Sequence, residues 1–235
     1  MRFSFVTLFP ELITPYFEAS ILKRAKESGL IEVACYNPRD YTKNRHLKVD
    51  APQTGGGAGQ VMFPQPLDDL LRQIQTRNPR AHIIFPLPAA KPFRQSDAKR
   101  LAEREEVVFV SGRYEGIDER IIEKYADEVF STGDFILTGG ELPSLVMCDA
   151  ISRNIPGVLG NEDSLSEESF EDLLLEAPTF TKPNVFDDSS VIKEYLKGNH
   201  GKIHALKREL SLKKTKYFRP DLYEKVNIKH LEDKK

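Results

Sequence analysis

The stretch EVVFVSGRYEG, from Glu106 to Gly116, joins an apolar run of strand length directly to a loop with two glycines. A second stretch, DEVFSTGDFILTGGELPS from Asp127 to Ser144, repeats this order with a shorter run and a longer loop. Runs that are apolar at consecutive positions are typical of strands buried on both faces of a parallel sheet. Ligands bind outside the carboxyl ends of such strands, so both loops are predicted to line a site.

The rest of the first 160 residues alternates in the same way. Further strand-length apolar runs are FSFVTLF, IEVACYN and AHIIFPL, and helix-like patterns span Glu11 to Ser28, Gln65 to Thr76 and Gln95 to Arg104. Gly29 follows the first of these helices as a C′ residue. Alternating strands and helices predict the α/β class, with a parallel sheet covered on both sides.

The loop of Ser131 to Ser144 contains three glycines but no lysine. It matches neither G-x-x-x-x-G-K-[ST] nor G-x-G-x-x-G, the two common phosphate-binding spacings. A polyphosphate ligand is therefore disfavoured. Any one of these glycines, taken alone, is explained equally well as a simple turn at a strand end.

Length and composition set outer limits. The 235 residues, 40% of them hydrophobic, are enough for one core and a small second domain. Two cysteines, Cys35 and Cys148, form no disulfide framework and suit a reducing compartment. The amino-terminal segment lacks a long apolar region and a cleavage site, and no apolar run has the length of a membrane span. We expect a soluble, cytoplasmic protein that has no membrane contact.

Charge is distributed unevenly beneath a net value of −2. Residues 161–190 contain nine acids and one lysine, a net of −8, and residues 191–235 contain thirteen bases and six acids, a net of +7. We predict a domain over 1–160, an acidic linker over 161–176 and a helical domain over 177–235. One face of its basic helix is expected to contain Ile203, Leu206 and Leu210, with Lys213 at the edge. That helix is either a solvated surface or a contact for a polyanion such as nucleic acid.

Several blocks of the sequence resemble a known family. They are GRYEGIDER (Gly112 to Arg120), GDFILTGGELP (Gly133 to Pro143), SRNIPGVLG (Ser152 to Gly160) and GNH (Gly198 to His200), with LFPE, PRD and GGGAG nearer the amino terminus. They are similar to the signature blocks of the bacterial tRNA (guanine-N1)-methyltransferases, which act on the guanosine 3′ of the anticodon, at tRNA position 37. The resemblance extends to about Leu222.

The resemblance implies a SPOUT-type α/β fold with a trefoil knot in its C-terminal part, followed by a small helical domain that binds the tRNA anticodon stem-loop. It also implies a homodimer whose active sites are shared between subunits. Knots are nearly absent from proteins, so no reading of periodicity proposes one. The implied methyl donor is S-adenosylmethionine, and Mg²⁺ is implied as an assisting ion, although no cluster in the sequence has metal-ligand spacing.

S-adenosylmethionine has no phosphate and carries a positive sulfur, which fits a glycine loop without lysine. Its pocket requires backbone groups for the adenine, apolar walls and no basic side chain close to the sulfonium. The residues that the resemblance assigns to cofactor binding are Pro88, Gly112, Tyr114, Gly116, Thr132, Gly133, Asp134, Phe135, Ile136, Leu137, Gly139 and Gly140.

The resemblance also assigns catalytic roles. Glu168 is the expected base that removes the N1 proton of guanine, at a position where the family has aspartate. Arg153 is expected to stabilise the charge on O6, and Glu115 to face the sulfonium or a divalent ion. Asp163 and Asp172 are the alternatives to Glu168.

Other interpretations remain open at this point. The chain is alternatively a different knotted methyltransferase, or an RNA-binding protein that keeps the fold without catalysis. His200 and His204 have a spacing that suits a zinc pair on a helix, but no third ligand is near them in the sequence. Ala89 and Ala90 replace a more polar pair of the family, which affects the loop predicted to cover the cofactor.

Overall fold

The computed structural model describes residues 1–161, 168–170 and 172–232, with side chains as far as Val226. These residues form two compact units, Met1–Gly160 and Asn161–Lys235.

The first unit is built on a five-stranded sheet. Its strands are β1 (Arg2–Val6), β2 (Glu32–Tyr36), β5 (His82–Pro86), β6 (Glu106–Val110) and β7 (Glu128–Phe130), in the spatial order β2-β1-β6-β5-β7. All neighbours pair in parallel; Phe5, for example, lies opposite Cys35 on one side and Phe109 on the other. The prediction of an α/β unit with a parallel central sheet is confirmed. A short antiparallel hairpin of β3 (Asp50–Pro52) and β4 (Gln60–Met62) stands apart from this sheet.

Both faces of the sheet are covered by helices, as expected from strands that have apolar residues on both faces. On one face Phe3, Phe5 and Phe109 pack with residues of α1 (Ser20–Glu27), α3 (Gln95–Ala102) and α5 (Glu141–Ser152). On the other face Val108 and Phe85 pack against α2 (Pro64–Arg77) and α4 (Glu119–Tyr125). All five residues of β6 are buried, so this strand lies at the centre of the core.

The predicted helix from Glu11 to Ser28 is wrong in its first half. Two short 3-10 turns, Pro10–Leu12 and Thr14–Glu18, precede a helix that begins only at Ser20. Pro10 and Pro15 each open one of these turns, because proline suits the start of a helical turn but donates no hydrogen bond within one. Gly29, with φ +74°, ends the helix as predicted.

A buried carboxylate lies at the amino end of β6. Glu106 is 2% exposed and accepts hydrogen bonds from Ser4 Oγ at 2.6 Å and from Asn78 Nδ2 at 3.0 Å. The guanidinium of Arg77 forms an ion pair with it, and Arg2 Nε lies 3.6 Å away. Burial by itself raises the pKa of Glu106, but these hydrogen bonds and the Arg77 charge outweigh it and lower the pKa.

The second unit contains a two-residue hairpin, β8 (Val185–Phe186) with β9 (Ser189–Ser190), and two helices, α6 (His200–Phe218) and α7 (Pro220–Glu232). Asn199 caps α6 by accepting a hydrogen bond from the backbone of Lys202. The predicted linker 161–176 lies partly outside the described residues. Its end contacts α6, since the Leu175 amide donates to Thr215 Oγ1 at 2.9 Å.

The inward face of α6 differs in part from the prediction. Ile203, Leu206 and Leu210 are partly buried, as expected, but Lys213 is exposed and pairs with Glu209. The buried positions at this end of the helix are Ser211 and Thr215, because their hydroxyls bond to the backbone of Leu175. In the described part of the chain, no helix has both the length and the apolar character needed to cross a membrane.

Candidate active site at the carboxyl ends of the strands

Three adjacent strands, β6, β5 and β7, end at the same edge of the sheet, and the loop that follows each of them lines one cavity. The cavity has a volume of about 280 Å³. Its lining consists of residues 86–88 from the first loop, 112–117 from the second, and 130–132, 135–140 and 143 from the third. Both loops that the strand pattern pointed to therefore meet here, together with the loop after β5.

Most residues assigned to cofactor binding line this cavity. They are Pro88, Gly112, Tyr114, Gly116, Thr132, Phe135, Ile136, Leu137, Gly139 and Gly140, with Glu115 among them. Gly133 and Asp134 belong to the same loop but not to the lining. Gly133 has φ +152°, and a Cβ at this position would lie 2.4 Å from the Phe135 ring, so the glycine allows that ring to fold back over the loop. Asp134 is exposed.

The mouth of the cavity carries apolar side chains that are open to solvent. Ile136 is 80% exposed, Phe135 54% and Tyr114 48%. Contiguous apolar groups left open around a concave site mark a surface that binds a ligand or another molecule.

Gly140 lies where two loops meet at the backbone. A Cβ on this residue would lie 2.7 Å from Ser111 Cα and 2.8 Å from the Gly112 nitrogen, closer than side chains are tolerated. The Gly140 amide donates to the Gly112 carbonyl at 2.8 Å, and the hydroxyls of Ser111 and Ser144 lie 3.0 Å apart. Glycine is thus required here by close approach, and the start of α5 is held against the second loop.

The glycine-rich turn of the β3–β4 hairpin is attached to the second loop. The Glu115 amide donates to the Gln60 carbonyl at 2.9 Å, and the Met62 amide donates to the Gly116 carbonyl at 2.9 Å. At Gly59 a Cβ would lie 2.4 Å from Glu115 Cγ. The GGGAG segment therefore packs on the carboxylate side chain at the cavity wall.

Arg113 and Glu141 were not among the predicted site residues. Arg113 Nη1 donates to the Thr138 carbonyl at 3.2 Å, and its Nε lies 2.8 Å from Oε2 of Glu141, a residue that is 2% exposed. The other carboxylate oxygen of Glu141 accepts from Thr7 Oγ1 at 2.8 Å. The GRYEG block contains the arginine and the GGELP block the glutamate, but only folding brings these two blocks together.

Of the expected catalytic residues, Arg153 belongs to the first unit and is not part of the cavity lining. Arg153 is partly buried at the C-terminal end of α5, about 15 Å along the helix from Pro143, a lining residue near its start. Glu168 is partly buried in the second unit and Asp172 is exposed there, whereas Asp163 lies outside the described residues. His200 and His204 are both exposed on α6. Among the residues that the structure describes, no three His, Cys, Asp or Glu side chains are grouped as metal ligands.

Comparison with known proteins connects this geometry to a family. The model of the family described as tRNA (Guanine-1)-methyltransferase TrmD matches residues 1–225. A protein of Sulfurovum sp. (strain NBC37-1) is 63% identical over 96% of this chain and 99% of its own length. A protein of Sulfurimonas denitrificans is 62% identical over 94% of this chain and 96% of its own, and one of Nitratiruptor sp. is 57% identical over the whole of both chains. All three are named tRNA (guanine-N(1)-)-methyltransferase.

The family model includes every loop of the cavity as well as the basic helix α6, and the relatives agree with the chain over nearly their full lengths. The protein therefore belongs to the tRNA (guanine-1)-methyltransferase family.

Proposed function

We propose that this protein transfers a methyl group from S-adenosylmethionine to N1 of the guanosine immediately 3′ of the tRNA anticodon, with the three-loop cavity as the methyl-donor site. The observation that carries the proposal is the chemistry of the lining. Backbone from three loops meets apolar side chains, and Arg113, the single basic residue in the lining, lies against the Glu141 carboxylate.

The lining fits S-adenosylmethionine and does not fit a polyphosphate. The Gly112 amide and the backbone groups of Gly139 are offered to the adenine edge, while Ile136 and Leu137 offer apolar contact. In the proposed function, Gly133 and Asp134 shape the third loop. The bound molecule supplies an electrophilic methyl group on a positively charged sulfur, and Glu115 is the acid of the cavity wall that faces it.

Proton removal from guanine is assigned to residues outside the cavity lining. In the proposal Glu168 takes the N1 proton, and Arg153 stabilises the negative charge that develops on O6. Glutamate carries its carboxylate one methylene further from the backbone than the family's aspartate, so its side chain folds back to reach the same point.

A homodimer with shared active sites is part of the proposal. Two observations support it. Arg153 lies about 15 Å along α5 from the lining residue Pro143, a distance longer than an arginine side chain, so a second subunit is the natural source of this guanidinium. Leu142 and Val146, one helical turn apart on α5, are 56% and 50% exposed and form an apolar stripe that a partner would cover.

The trefoil knot and the role of the second unit complete the proposal. The knot is proposed from the family to which the chain belongs, and the backbone contact of Gly140 with Ser111 and Gly112 packs the third loop tightly against the second. Helix α6 presents exposed bases, among them Lys202, Arg208 and Lys216, which suit phosphates of the anticodon stem. Among the described residues no three His, Cys, Asp or Glu side chains are grouped, and the proposal assigns no residue to Mg²⁺.

The test is methyl transfer from labelled S-adenosylmethionine to a tRNA transcript with guanosine at position 37, compared with the same transcript carrying adenosine there. We expect transfer only to guanosine, and we expect Glu168→Gln to lower kcat about 10²- to 10⁴-fold, the usual contribution of a general base. Glu168→Asp, which restores the family residue, is expected to remain active.

Asp172→Asn is the matched control, because it removes an exposed acid from the same segment. Full activity of Glu168→Gln with a loss in Asp172→Asn moves the base to Asp172. Transfer to the adenosine transcript contradicts the proposed substrate atom.

A further inference from the structure

The cavity wall contains a guanidinium that holds two loops together. Arg113 leaves the second loop and donates through Nη1 to the Thr138 carbonyl of the third loop, at 3.2 Å. Its Cζ lies 4.6 Å from the ring centroid of Phe9, and a Cβ on Gly139 would lie 2.4 Å from its Nε. The side chain is only 17% exposed. Arg113 thus fixes the position of Thr138 and Gly139 relative to the second loop.

A positive charge at this place conflicts with a cationic ligand. The sulfonium of S-adenosylmethionine is positively charged, and two like charges repel strongly where protein excludes water. Among the described lining residues, the other charged side chain is the acidic Glu115. Its charge also acts on a cationic ligand.

Glu141 cancels this charge. Its Oε2 lies 2.8 Å from Arg113 Nε, and neither atom has a hydrogen bond within the described residues, so their attraction is between charges rather than a directed bond. Oε1 of Glu141 accepts a hydrogen bond from Thr7 Oγ1 at 2.8 Å. Thr7 Oγ1 in turn accepts one from the Phe9 amide at 3.0 Å, and this chain of bonds holds the carboxylate in place. Glu141 is also the first residue of α5, where the helix dipole favours an anion.

We propose that Glu141 is a specificity-determining residue, whose carboxylate neutralises Arg113 so that the cavity accepts the cationic methyl donor as readily as the uncharged thioether product. This inference rests on the proposed function, because it takes the cavity as the donor site. S-adenosylmethionine and S-adenosylhomocysteine differ only in the methyl group and charge at sulfur, so the ratio of their affinities reports the electrostatics of the cavity.

Calorimetric titration of the full chain with both ligands tests the proposal. For Glu141→Gln, which leaves Arg113 uncompensated, we expect the affinity for S-adenosylmethionine to fall about tenfold relative to that for S-adenosylhomocysteine. Arg113→Gln is expected to shift the ratio in the opposite direction. The double variant Arg113→Gln/Glu141→Gln, which removes both charges, is expected to return the ratio to the wild-type value.

The matched control is Glu106→Gln, which also removes a buried carboxylate beside an arginine, but at the opposite end of strand β6. Its affinity ratio is expected to equal that of the wild type. If Glu141→Gln does not fold, Arg113→Gln and the double variant decide the question, since removal of a complete buried pair is tolerated better than removal of one member.

Equal losses of affinity for both ligands in Glu141→Gln, or a double variant that does not restore the ratio, overturn the proposal and leave Glu141 a structural residue. A different result is expected if the cavity is not the methyl-donor site. In that case Gly140→Val, which cannot fit against Ser111 and Gly112, binds both ligands as well as the wild type does.

Discussion

Single residues of this protein act through partners that are distant in the sequence. Glu106 and Glu141 are both buried acids, and each lies beside an arginine on a different element. A buried carboxylate without a counter-charge is strongly unfavourable, so each pair constrains the folding of the chain around it. The two pairs have different consequences because they lie in different places. Glu106 lies at the amino end of β6, away from the cavity, whereas Glu141 lies beside the cavity wall.

We predict that Glu106→Gln lowers the free energy of unfolding at neutral pH by about 1–3 kcal/mol, a value reduced from that of a fully buried pair because Arg77 is partly open to solvent. The pKa of Glu106 is lower in the folded protein than its ordinary value of 4.5. Its contribution to stability is therefore present above about pH 4.5 and is lost as the pH falls through the lowered pKa.

Urea unfolding between pH 7 and pH 3 measures this effect. The difference in stability between wild type and Glu106→Gln is expected to shrink as the pH falls below about 4.5. A difference that stays constant over this range contradicts an ionised Glu106 as the stabilising group.

At the level of elements, helix α5 borders the cavity at one end and presents exposed apolar residues along its length. Its first turn packs on the second loop through Gly140 and Ser144, and its far end carries Arg153. Between them, Leu145, Met147 and Cys148 face the core, while Leu142 and Val146 face solvent. One helix thus borders the cavity of its own chain and presents an apolar stripe suited to a second chain.

We predict that Val146→Glu converts the proposed dimer to monomers and abolishes methyl transfer, because the charge enters an apolar contact and separates Arg153 from the cavity that it serves. Sedimentation analysis measures the oligomeric state, and the labelled-methyl assay measures transfer. Glu123→Gln, which alters an exposed residue of α4, is the control. A Val146→Glu monomer that remains fully active shows that one subunit contains a complete active site.

At the level of the whole molecule, charge is separated along the chain. Residues 161–190 carry a net −8 and residues 191–235 a net +7, so the total of −2 conceals a basic segment. Exposed lysines and arginines concentrate positive charge on α6, whereas the described lining of the cavity contains one basic residue, which has an acidic partner. In the proposed function, α6 therefore serves tRNA binding and the cavity serves methyl donation.

We predict that the double variant Lys202→Gln/Arg208→Gln weakens tRNA binding and lowers the slope of log K against log salt by about 1–2, because fewer counterions are released from phosphates. Fluorescence anisotropy over a salt series measures it. Affinity for S-adenosylmethionine is expected to be unchanged. A slope equal to that of the wild type would mean that these two side chains do not touch the RNA backbone. The control is Arg24→Gln, which changes an exposed residue of α1.

Local patterns predicted much of this protein. The unbroken apolar run at 107–110 identified the central strand, and the loops after Val110 and Phe130 identified the edge of the sheet where the cavity lies. The signature blocks identified the family. The predicted helix from Glu11 was wrong because the prediction took no account of Pro10 and Pro15, which divide the segment into separate turns. Glu168 and Arg153 as catalytic residues remain predictions.

The sequence alone determined the α/β class, the parallel sheet, the family and the loops that form the site, because periodicity, turn chemistry and motifs act over a few neighbouring residues. Only the tertiary structure decided that Arg113 meets Glu141 and that Gly140 tolerates no side chain beside Ser111. These contacts join residues 28 or more positions apart, between the second loop and the third loop with the start of α5. Their geometry follows from how β6 and β7, on either side of β5, end at the same edge of the sheet, and no local sequence pattern encodes that arrangement.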